Sequence, residues 1–307
     1  MPGREVEGMT HFQQSEQSLR DHITLVNRLR AAGVVLSAYV IYHRQYFDEL
    51  LQRIYMGLLL QPLFHYEGFE ILQSSVCFFF FIGWWYIVDH NIPILHKYRF
   101  NGANRGSWKG RFWVVFRDEV SFYVVPWLIL AHVWPGRREI LINSNEIYTP
   151  TLFLVVTQTL CSLATYDIFF YAGHRLVHEY RPLYSLHAKH HSVGANVTAT
   201  DAIRHDFLDG TFDVMCSVLA LLVVRSHPLS RLTHNIAATW LITESHSGYL
   251  LPCSLSELTG GFFSSPELHV AHHASGKGYY SKFFPFLDRV LGTSLQSSVI
   301  DSNKLDA

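Results

Sequence analysis

The sequence predicts an all-α protein in which an integral membrane anchor of helices carries a cytosolic, histidine-lined helical domain. Three observations lead to this prediction. The 307 residues are 49% hydrophobic and only 16% charged, which is unusually apolar for a soluble enzyme of this length. Uncharged apolar runs alternate with polar segments along the chain. Twelve of the 19 histidines fall within the hundred residues that begin at His174, many of them at helical spacings.

Composition also limits the partners and the compartment. The formal net charge is −1, so we expect no nucleic-acid partner. The four cysteines are scattered and form no Cys-x-x-Cys motif, which indicates reduced core thiols rather than disulfides. The first residues are polar and contain no apolar stretch, so we expect no cleavable signal peptide. Membrane insertion then depends on internal segments.

Residues 1–30 are predicted to be a polar tail, and residues 31–148 are predicted to form the membrane anchor. Two apolar runs at the start of the anchor, residues 31–42 and 54–66, are short for a span of about 20 residues. They fit interfacial or buried helices equally well. We therefore do not assign them as spans.

Three longer runs are candidate spans: residues 71–88, 120–134 and 149–166. The first carries no charge and ends in tryptophan and tyrosine, which favour the membrane interface. In the connection between the first two candidates, the stretch from Lys97 to Arg117 carries six cations and no acid. These cations are Lys97, Arg99, Arg105, Lys109, Arg111 and Arg117. The positive-inside rule places this connection in the cytosol, and one span out and one span back then bring the histidine region to the same side.

Residues 149–298 are predicted to form one catalytic domain, followed by a tail at residues 299–307. Within the domain, the apolar runs at residues 214–224 and 232–243 are short, so we expect a shallow hairpin that returns to the cytosolic side. The last part, residues 260–298, is rich in glycine and aromatic residues and polar enough to form a lid over the site.

Nine histidines of this domain form spaced groups. Since positions i, i+3 and i+4 lie on one face of a helix, we expect each group to point its imidazoles at one place. Structural metal sites use four protein ligands and catalytic ones about three, so nine histidines suit two metal ions. The groups are His174 and His178, then His187, His190 and His191, then His246, and finally His269, His272 and His273.

Structural histidines are the competing interpretation. A single H-x-x-x-H pair on an apolar helix is usually structural, and one H-x-x-H-H motif is ambiguous. The H-x-x-H-H motif occurs twice here, and an H-x-x-x-H pair lies in the same hundred residues. The repetition favours metal ligands.

Acidic residues near the histidines are candidates for orienting them, because a carboxylate that accepts the second ring N–H fixes a ligand and offsets metal charge. Asp167 and Tyr171 precede His174 and His178 with a 4-3-4 spacing along one helical face. We take Asp167, Tyr171 and Glu244 as candidate catalytic residues, although Glu244 is equally well explained as a solvated or capping acid. His205 is either a tenth ligand or an ordinary surface residue. Weaker acidic candidates are Asp201 and Asp206.

The histidine groups with their neighbours carry a family resemblance. The segments HRLVH from His174, HAKHH from His187, HSGYLLP from His246 and HVAHH from His269 resemble the histidine boxes of the fatty acid hydroxylase superfamily. Within it they are most similar to the sterol desaturase and C-4 methylsterol oxidase branch, which includes cholesterol 25-hydroxylases. The ending KGYYS…FLDRVLGT, from Lys277 to Thr293, also resembles the family's ending. The resemblance covers roughly residues 149–298.

This resemblance implies a membrane-bound oxygenase of the endoplasmic reticulum with its metal site facing the cytosol. The nine box histidines would hold two non-haem iron ions, and His205 occupies the place of a further family ligand. O2 would be the co-substrate, and electrons would come from NAD(P)H through a cytochrome b5-type or reductase partner. The substrate would be a sterol or similar lipophilic molecule that reaches the site from the lipid bilayer and is oxidised at an unactivated C–H, such as one of a methyl group.

Three positions depart from the family pattern: Asp206 after His205, Leu250 and Gly278. The last two weaken an assignment to a housekeeping sterol enzyme. The alternatives are a desaturase or a tailoring oxidase of a terpenoid or polyketide product. A histidine-rich metal transporter and a metal-dependent hydrolase come from other classes. A transporter would place ligands, including acids, within its spans, and a hydrolase would need fewer ligands and a clear general base.

Overall fold

The computed structural model describes residues 16–103, 108–134 and 150–294. Within these ranges the secondary structure is helical, and the extended pairing is limited to an isolated antiparallel bridge between Arg99 and Tyr249. The predicted all-α fold class is therefore confirmed. Parts of the predictions lie outside the described residues: the first half of the N-terminal tail, Arg105, residues 149 and 295–298 of the catalytic domain, and the C-terminal tail.

The helices are numbered here in chain order. They are α1 (Glu16–Tyr42), α2 (Arg44–Leu59), α3 (Phe69–Asn91), α4 (Trp108–Asp118), α5 (Val125–Val133), α6 (Leu152–Glu179), α7 (Arg181–His191), α8 (Phe207–Val223), α9 (Pro228–Ser245), α10 (Leu255–Leu258), α11 (Pro266–Ser275) and α12 (Phe286–Val290). A π-helical turn, Glu119–Val124, joins α4 to α5 without a break, because its flanking residues keep right-handed helical backbone angles.

Local sequence fixes where the histidine-bearing helices begin and end. A proline stands in the first turn of α7, α9 and α11, where its missing N–H costs nothing. The Thr151 hydroxyl accepts the backbone N–H of Leu154 at the start of α6, and the Ser265 hydroxyl caps α11 in the same way. Gly276 ends α11 with a φ of 62°, which favours glycine.

Helices α3, α6 and α9 run side by side in the same direction. At one end, Arg231 of α9 pairs with Glu70 in the first turn of α3. At the other end, Trp240 of α9 stacks on Trp85 of α3, with ring centroids 5.6 Å apart. Ser162 of α6 hydrogen-bonds His234 of α9 at 2.8 Å. The chain continues from the matching ends of α6 and α9 into the histidine motifs, so these motifs meet at one end of the bundle.

Helices α8 and α4–α5 run in the opposite direction within the same bundle. Tyr166 of α6 hydrogen-bonds Asp213 of α8 at 2.7 Å, and Trp127 of α5 packs in a core cluster with Ile71 of α3. The hairpin of α8 and α9 extends as far as Glu70, at the start of α3. The two helices are longer than the short apolar runs, because α8 begins at Phe207 and α9 at Pro228, outside those runs. The depth of this hairpin in a membrane stays a prediction.

Three described helices are long and apolar enough to cross a membrane: Leu19–Tyr42, Phe69–Asn91 and Leu152–Glu179. They indicate a membrane protein. The last two contain most of the predicted spans 71–88 and 149–166. The helix Leu19–Tyr42 contains the apolar run 31–42, which was judged too short to span a membrane. The helix is long enough for a span because it begins earlier, inside the predicted polar tail. The predicted span 120–134 lies largely in the π-turn and α5, which is only nine residues long.

The basic connection after α3 lies at the histidine end of the bundle. The backbone N–H of Phe100 donates to the carbonyl of Gly248 at 3.1 Å, two residues after His246. The Asn101 side chain donates to the carbonyl of Val197 at 2.7 Å. This agrees with the expectation that the connection and the histidines share one side; the assignment of that side to the cytosol stays a prediction.

Close packing of α6 on α8 generates a first testable prediction. A Cβ atom added at Gly173, next to His174, would lie 2.2 Å from the Phe212 ring, so Gly173→Ala forces the helices apart. We expect a loss of roughly 1–3 kcal/mol in the free energy of unfolding, seen as a lower melting temperature in detergent. Gly83→Ala in α3 is the matched control, since a Cβ there meets nothing within 4 Å. Equal melting temperatures for the two variants would contradict the packing.

Candidate metal centre

The structure brings all nine predicted histidines together in two adjacent groups. The ligand nitrogens of each group lie within 4.8 Å of one another. The rings of His191 and His273, one from each group, lie 4.7 Å apart, centroid to centroid. The first group is His174, His178, His187, His191 and His272, and the second is His190, His246, His269 and His273.

Each H-x-x-H-H motif is divided between the two groups, which differs from the expectation that a motif points at one place. His187 and His191, four apart, belong to the first group, and His190 belongs to the second. Consecutive helical residues point about 100° apart, so neighbouring histidines cannot face the same centre. One helix thus serves both groups, and the motif fixes the distance between them.

Hydrogen bonds to the outer ring nitrogens fix the tautomers of two histidines in the first group. His174 Nδ1 lies 2.8 Å from the carbonyl oxygen of Tyr280, and His187 Nδ1 lies 2.9 Å from the Asp209 carboxylate. Both oxygens only accept, so both Nδ1 atoms carry the proton. The two Nε2 atoms are left with lone pairs, and they face each other at 3.1 Å. No hydrogen lies between them when both rings are neutral.

The second group repeats this arrangement. His246 Nδ1 donates to the carbonyl of Ile242 at 2.8 Å, so its Nε2 carries a lone pair. That Nε2 atom lies 3.0 Å from His269 Nε2, which in turn lies 3.1 Å from His273 Nε2. Several imidazole nitrogens therefore converge on one small volume.

Burial keeps these rings neutral. It lowers the pKa of His269 and His273 well below the ordinary value, and neighbouring imidazoles lower it further. Burial also lowers the pKa of His191 and of His246 to about 3. Protonation therefore does not relieve the repulsion between the facing lone pairs near neutral pH.

A metal ion in each group fits these observations. With metal–nitrogen bonds of roughly 2.0–2.1 Å, two imidazoles at right angles place their nitrogens about 3 Å apart, close to the 3.0–3.2 Å seen here. His272 gives independent support for a metal ion. Its Nδ1 donates to the carbonyl of Gly278, and its buried Nε2 has a lone pair without a hydrogen-bond partner. An all-imidazole donor set suits iron, copper, zinc or nickel.

His205 lies beside the groups but belongs to neither. Its ring stacks on His190 at 4.8 Å, centroid to centroid. Its Nδ1 contacts Asp209 at 3.0 Å, and its Nε2 contacts the carbonyl of Ala202 at 3.0 Å. Both nitrogens are thus directed at oxygen acceptors, so in this structure His205 supports the site rather than offering a ligand nitrogen.

Asp209 was missed by the sequence reasoning. Its carboxylate accepts from both His187 and His205. Burial alone would raise its pKa, but these two hydrogen bonds hold the pKa of Asp209 below its ordinary value. The available signal was its position four residues after His205, which puts both side chains on one face.

Asp167 and Tyr171 act on the C-terminal segment instead of on a histidine. The Asp167 carboxylate accepts the backbone N–H groups of Lys282, Phe283 and Phe284. The Tyr171 hydroxyl bonds the Thr293 hydroxyl at 3.0 Å. The expectation that Asp167 accepts a ring N–H is therefore not met, because its carboxylate is occupied by the turn that follows Tyr280.

Asp288 fixes the same turn from the other side. Its carboxylate accepts the backbone N–H groups of Tyr280 and Ser281 at 2.8 and 2.9 Å. This places the Tyr280 carbonyl on His174. Gly278, whose carbonyl receives the His272 N–H, has a φ of 62°, a conformation that glycine adopts easily. Asp288 and Gly278 therefore orient ligands through the backbone.

The other acidic candidates lie away from the two groups. Glu244 is buried, and burial raises its pKa to about 7 against the hydrogen bonds from Ser254 and Trp240. Asp201 caps the short helix Ala199–Ile203, and Asp206 precedes α8 and pairs with Lys189 at 3.7 Å. Each of these acids lies within four residues of a histidine in the sequence, but none belongs to the two histidine groups.

A cavity begins at His205 and extends between α8 and α9. The helix face from Gly210 to Leu221 lines it over about 16 Å at 1.5 Å per residue. Phe122 and Trp127 line the wall formed by the π-turn and α5. Most of the lining is apolar, so the cavity suits a lipophilic molecule.

Removing the charge of Asp209 tests whether this carboxylate orients the metal ligand His187. In Asp209→Asn, the negative charge is lost and one oxygen remains as the acceptor, so the hydrogen bond that orients His187 becomes weaker. We expect metal affinity to fall roughly 10- to 100-fold, measured as metal retained per chain during chelator dialysis. Asp206→Asn is the matched control, since this exposed carboxylate touches no ligand. Equal metal retention by the two variants would contradict the role of Asp209.

Comparison with known proteins agrees with the family resemblance. The fatty acid hydroxylase family model matches residues 159–293. Human cholesterol 25-hydroxylase is 31% identical over 155 residues, which are 49% of this chain and 56% of the relative. The ornithine lipid hydroxylase of Rhizobium tropici is 30% identical over 159 residues, which are 50% of this chain and 46% of the relative.

The mouse cholesterol 25-hydroxylase is 31% identical over 148 residues, which are 47% of this chain and 49% of the relative. The matches thus span about half the length of these curated relatives. No solved structure matches the chain. The matched range contains every histidine of the two groups. Over residues 159–293, the chain is therefore similar to the fatty acid hydroxylase family.

Proposed function

We propose that this protein is a membrane-bound di-iron oxygenase that hydroxylates an unactivated C–H of a sterol or similar lipophilic molecule. The observation that carries the proposal is the pair of buried histidine groups whose neutral nitrogens face each other at 3.0–3.2 Å beside an apolar cavity. The hydroxylase names of the relatives support an oxidoreductase acting on a sterol or lipid.

The protein itself would hold the metal ions, orient the histidine ligands and keep bulk water out of the site. The nine histidines of the two groups would be the ligands. Carbonyls of Ile242, Gly278 and Tyr280 and the carboxylate of Asp209 keep the outer ring nitrogens protonated, so the inner ones stay available. His272 is fully buried and His174 is 4% exposed, which keeps bulk water out.

Two iron ions bound there would supply the activation of O2. The net reaction converts a C–H bond, O2, two electrons and two protons into a C–OH group and water. The two electrons require an outside donor, for which we propose NAD(P)H acting through a cytochrome b5-type or reductase partner. Desaturation would use the same oxidant and electrons but release two water molecules and form a C=C bond.

We further propose that residues 149–298 form the catalytic domain on a helical anchor, in a multi-pass endoplasmic reticulum protein with the histidine groups facing the cytosol. The basic connection beside Gly248 supports this orientation. The position of the groups at one end of the bundle argues against a transporter, whose ligands should lie midway along the spans.

Turnover by the purified, iron-loaded full chain tests the proposal. With cholesterol and a reducing system, we expect O2 uptake and a product heavier by one oxygen; a product lighter by two hydrogens would identify a desaturase.

The His190→Ala variant tests whether His190 is a metal ligand. It should reduce turnover to less than about 1% and lower bound iron, because loss of a ligand has a larger effect than the 10- to 100-fold loss of activity expected for a residue that only supports a ligand. His90→Ala, an exposed histidine of α3, is the control. Full turnover by His190→Ala would refute the ligand role of His190, and loss of iron binding with unchanged O2 uptake would refute the oxygenase.

A further inference from the structure

The far end of the cavity contains a buried ion pair with an unused donor. Arg231 of α9 donates from Nε to Glu70 Oε1 at 2.6 Å and from Nη2 to Glu70 Oε2 at 2.5 Å. Arg231 is only 1% exposed, and its remaining nitrogen, Nη1, is buried with no hydrogen-bond partner. Both residues line the cavity. A buried arginine N–H without an acceptor is costly, so this position favours a ligand that supplies one.

The ion pair and His205, whose ring stacks on His190 of the second histidine group, lie at opposite ends of the cavity. Arg231 precedes His246 by 15 residues on α9 and its cap, which corresponds to about 22 Å along the helix axis. Asn235, Thr239 and Ile242 line the cavity between them. A molecule that contacts both ends must therefore be elongated, with an apolar body.

The charge of the pair limits the group that Arg231 can bind. Glu70 already neutralises the guanidinium through two hydrogen bonds. A carboxylate or phosphate on the ligand would add a second, uncompensated negative charge beside Glu70, which is unfavourable inside a protein. An uncharged oxygen, such as a hydroxyl or a ketone, accepts from Nη1 without this cost.

We propose that Arg231, held by Glu70, binds the uncharged oxygen of a sterol-type alcohol or ketone at the end of the cavity opposite the histidine groups. The inference rests on the proposed function for the location of the reaction. A substrate bound by Arg231 points the end remote from its oxygen towards the histidines. The reaction therefore oxidises that remote end. Arg231 is then a specificity-determining residue and takes no part in the chemistry.

Binding measurements test this inference without turnover. Full-length protein in nanodiscs is titrated with cholesterol, with the corresponding ketone cholestenone, and with the hydrocarbon cholestene, which lacks the oxygen. We expect cholesterol and cholestenone to bind with similar affinity and cholestene about 10-fold more weakly, because Nη1 then stays unsatisfied. No saturable binding of cholesterol, or equal affinity for all three, would overturn the inference; the second result is expected if a water molecule satisfies Nη1.

Two double variants test whether the ion pair causes the preference for a ligand that carries an oxygen. In Glu70→Gln/Arg231→Gln both charges are removed together, so no charge is buried alone, and the cholesterol-to-cholestene ratio should fall to about one. Arg175→Gln/Glu179→Gln removes the exposed pair of α6 and should keep the wild-type ratio. A retained preference in the first variant overturns the inference. Oxygenation without any alcohol preference would overturn the inference and leave the proposed function intact. An alcohol preference that depends on the ion pair, found in a chain without oxygenase activity, would refute only the proposed function.

Discussion

The repulsion between buried imidazole lone pairs is the constraint on which the rest of this structure depends. In both groups, neutral rings face each other through Nε2 atoms 3.0–3.2 Å apart. Hydrogen bonds hold the protons of His174, His187 and His246 on the outer nitrogens. Without a cation this arrangement is unfavourable, and protonation is opposed by burial. The fold thus places two sets of nitrogens where only positively charged ions stabilise them. Metal binding and the packing of this end of the bundle are then coupled, as at other metal sites.

The second requirement is that the rings are held from outside, and the chain meets it mainly with its backbone. The carbonyls of Gly278 and Tyr280 receive ring protons from α11 and α6, respectively. Asp167 and Asp288 bind the N–H groups of the same turn from opposite sides. The C-terminal segment therefore joins the first histidine helix to the last. Its resemblance to the family ending has a physical reason, because a shift of this turn would release two ligands.

The sequence predicted the histidine groups and the helical fold because both depend on local spacing. The sequence did not predict the features of the site that depend on tertiary contacts. The i and i+4 spacing showed which residues share a helix face, but the division of His190 from His191 depends on the helices that surround α7. Asp209 and the carbonyl acceptors carry no motif, so Asp167 was chosen in their place on spacing alone. The candidate span Leu19–Tyr42 was not predicted, because α1 extends through charged residues such as Arg28 and Arg30, which the search for uncharged apolar runs excludes.

The most direct measurement of the central claim is metal stoichiometry combined with iron K-edge X-ray absorption on the iron-loaded full chain. The account predicts two iron ions per chain, each surrounded by nitrogen atoms at roughly 2.0–2.2 Å with the multiple scattering of imidazole rings. One metal ion per chain, or a shell dominated by carboxylate or water oxygen, would contradict it.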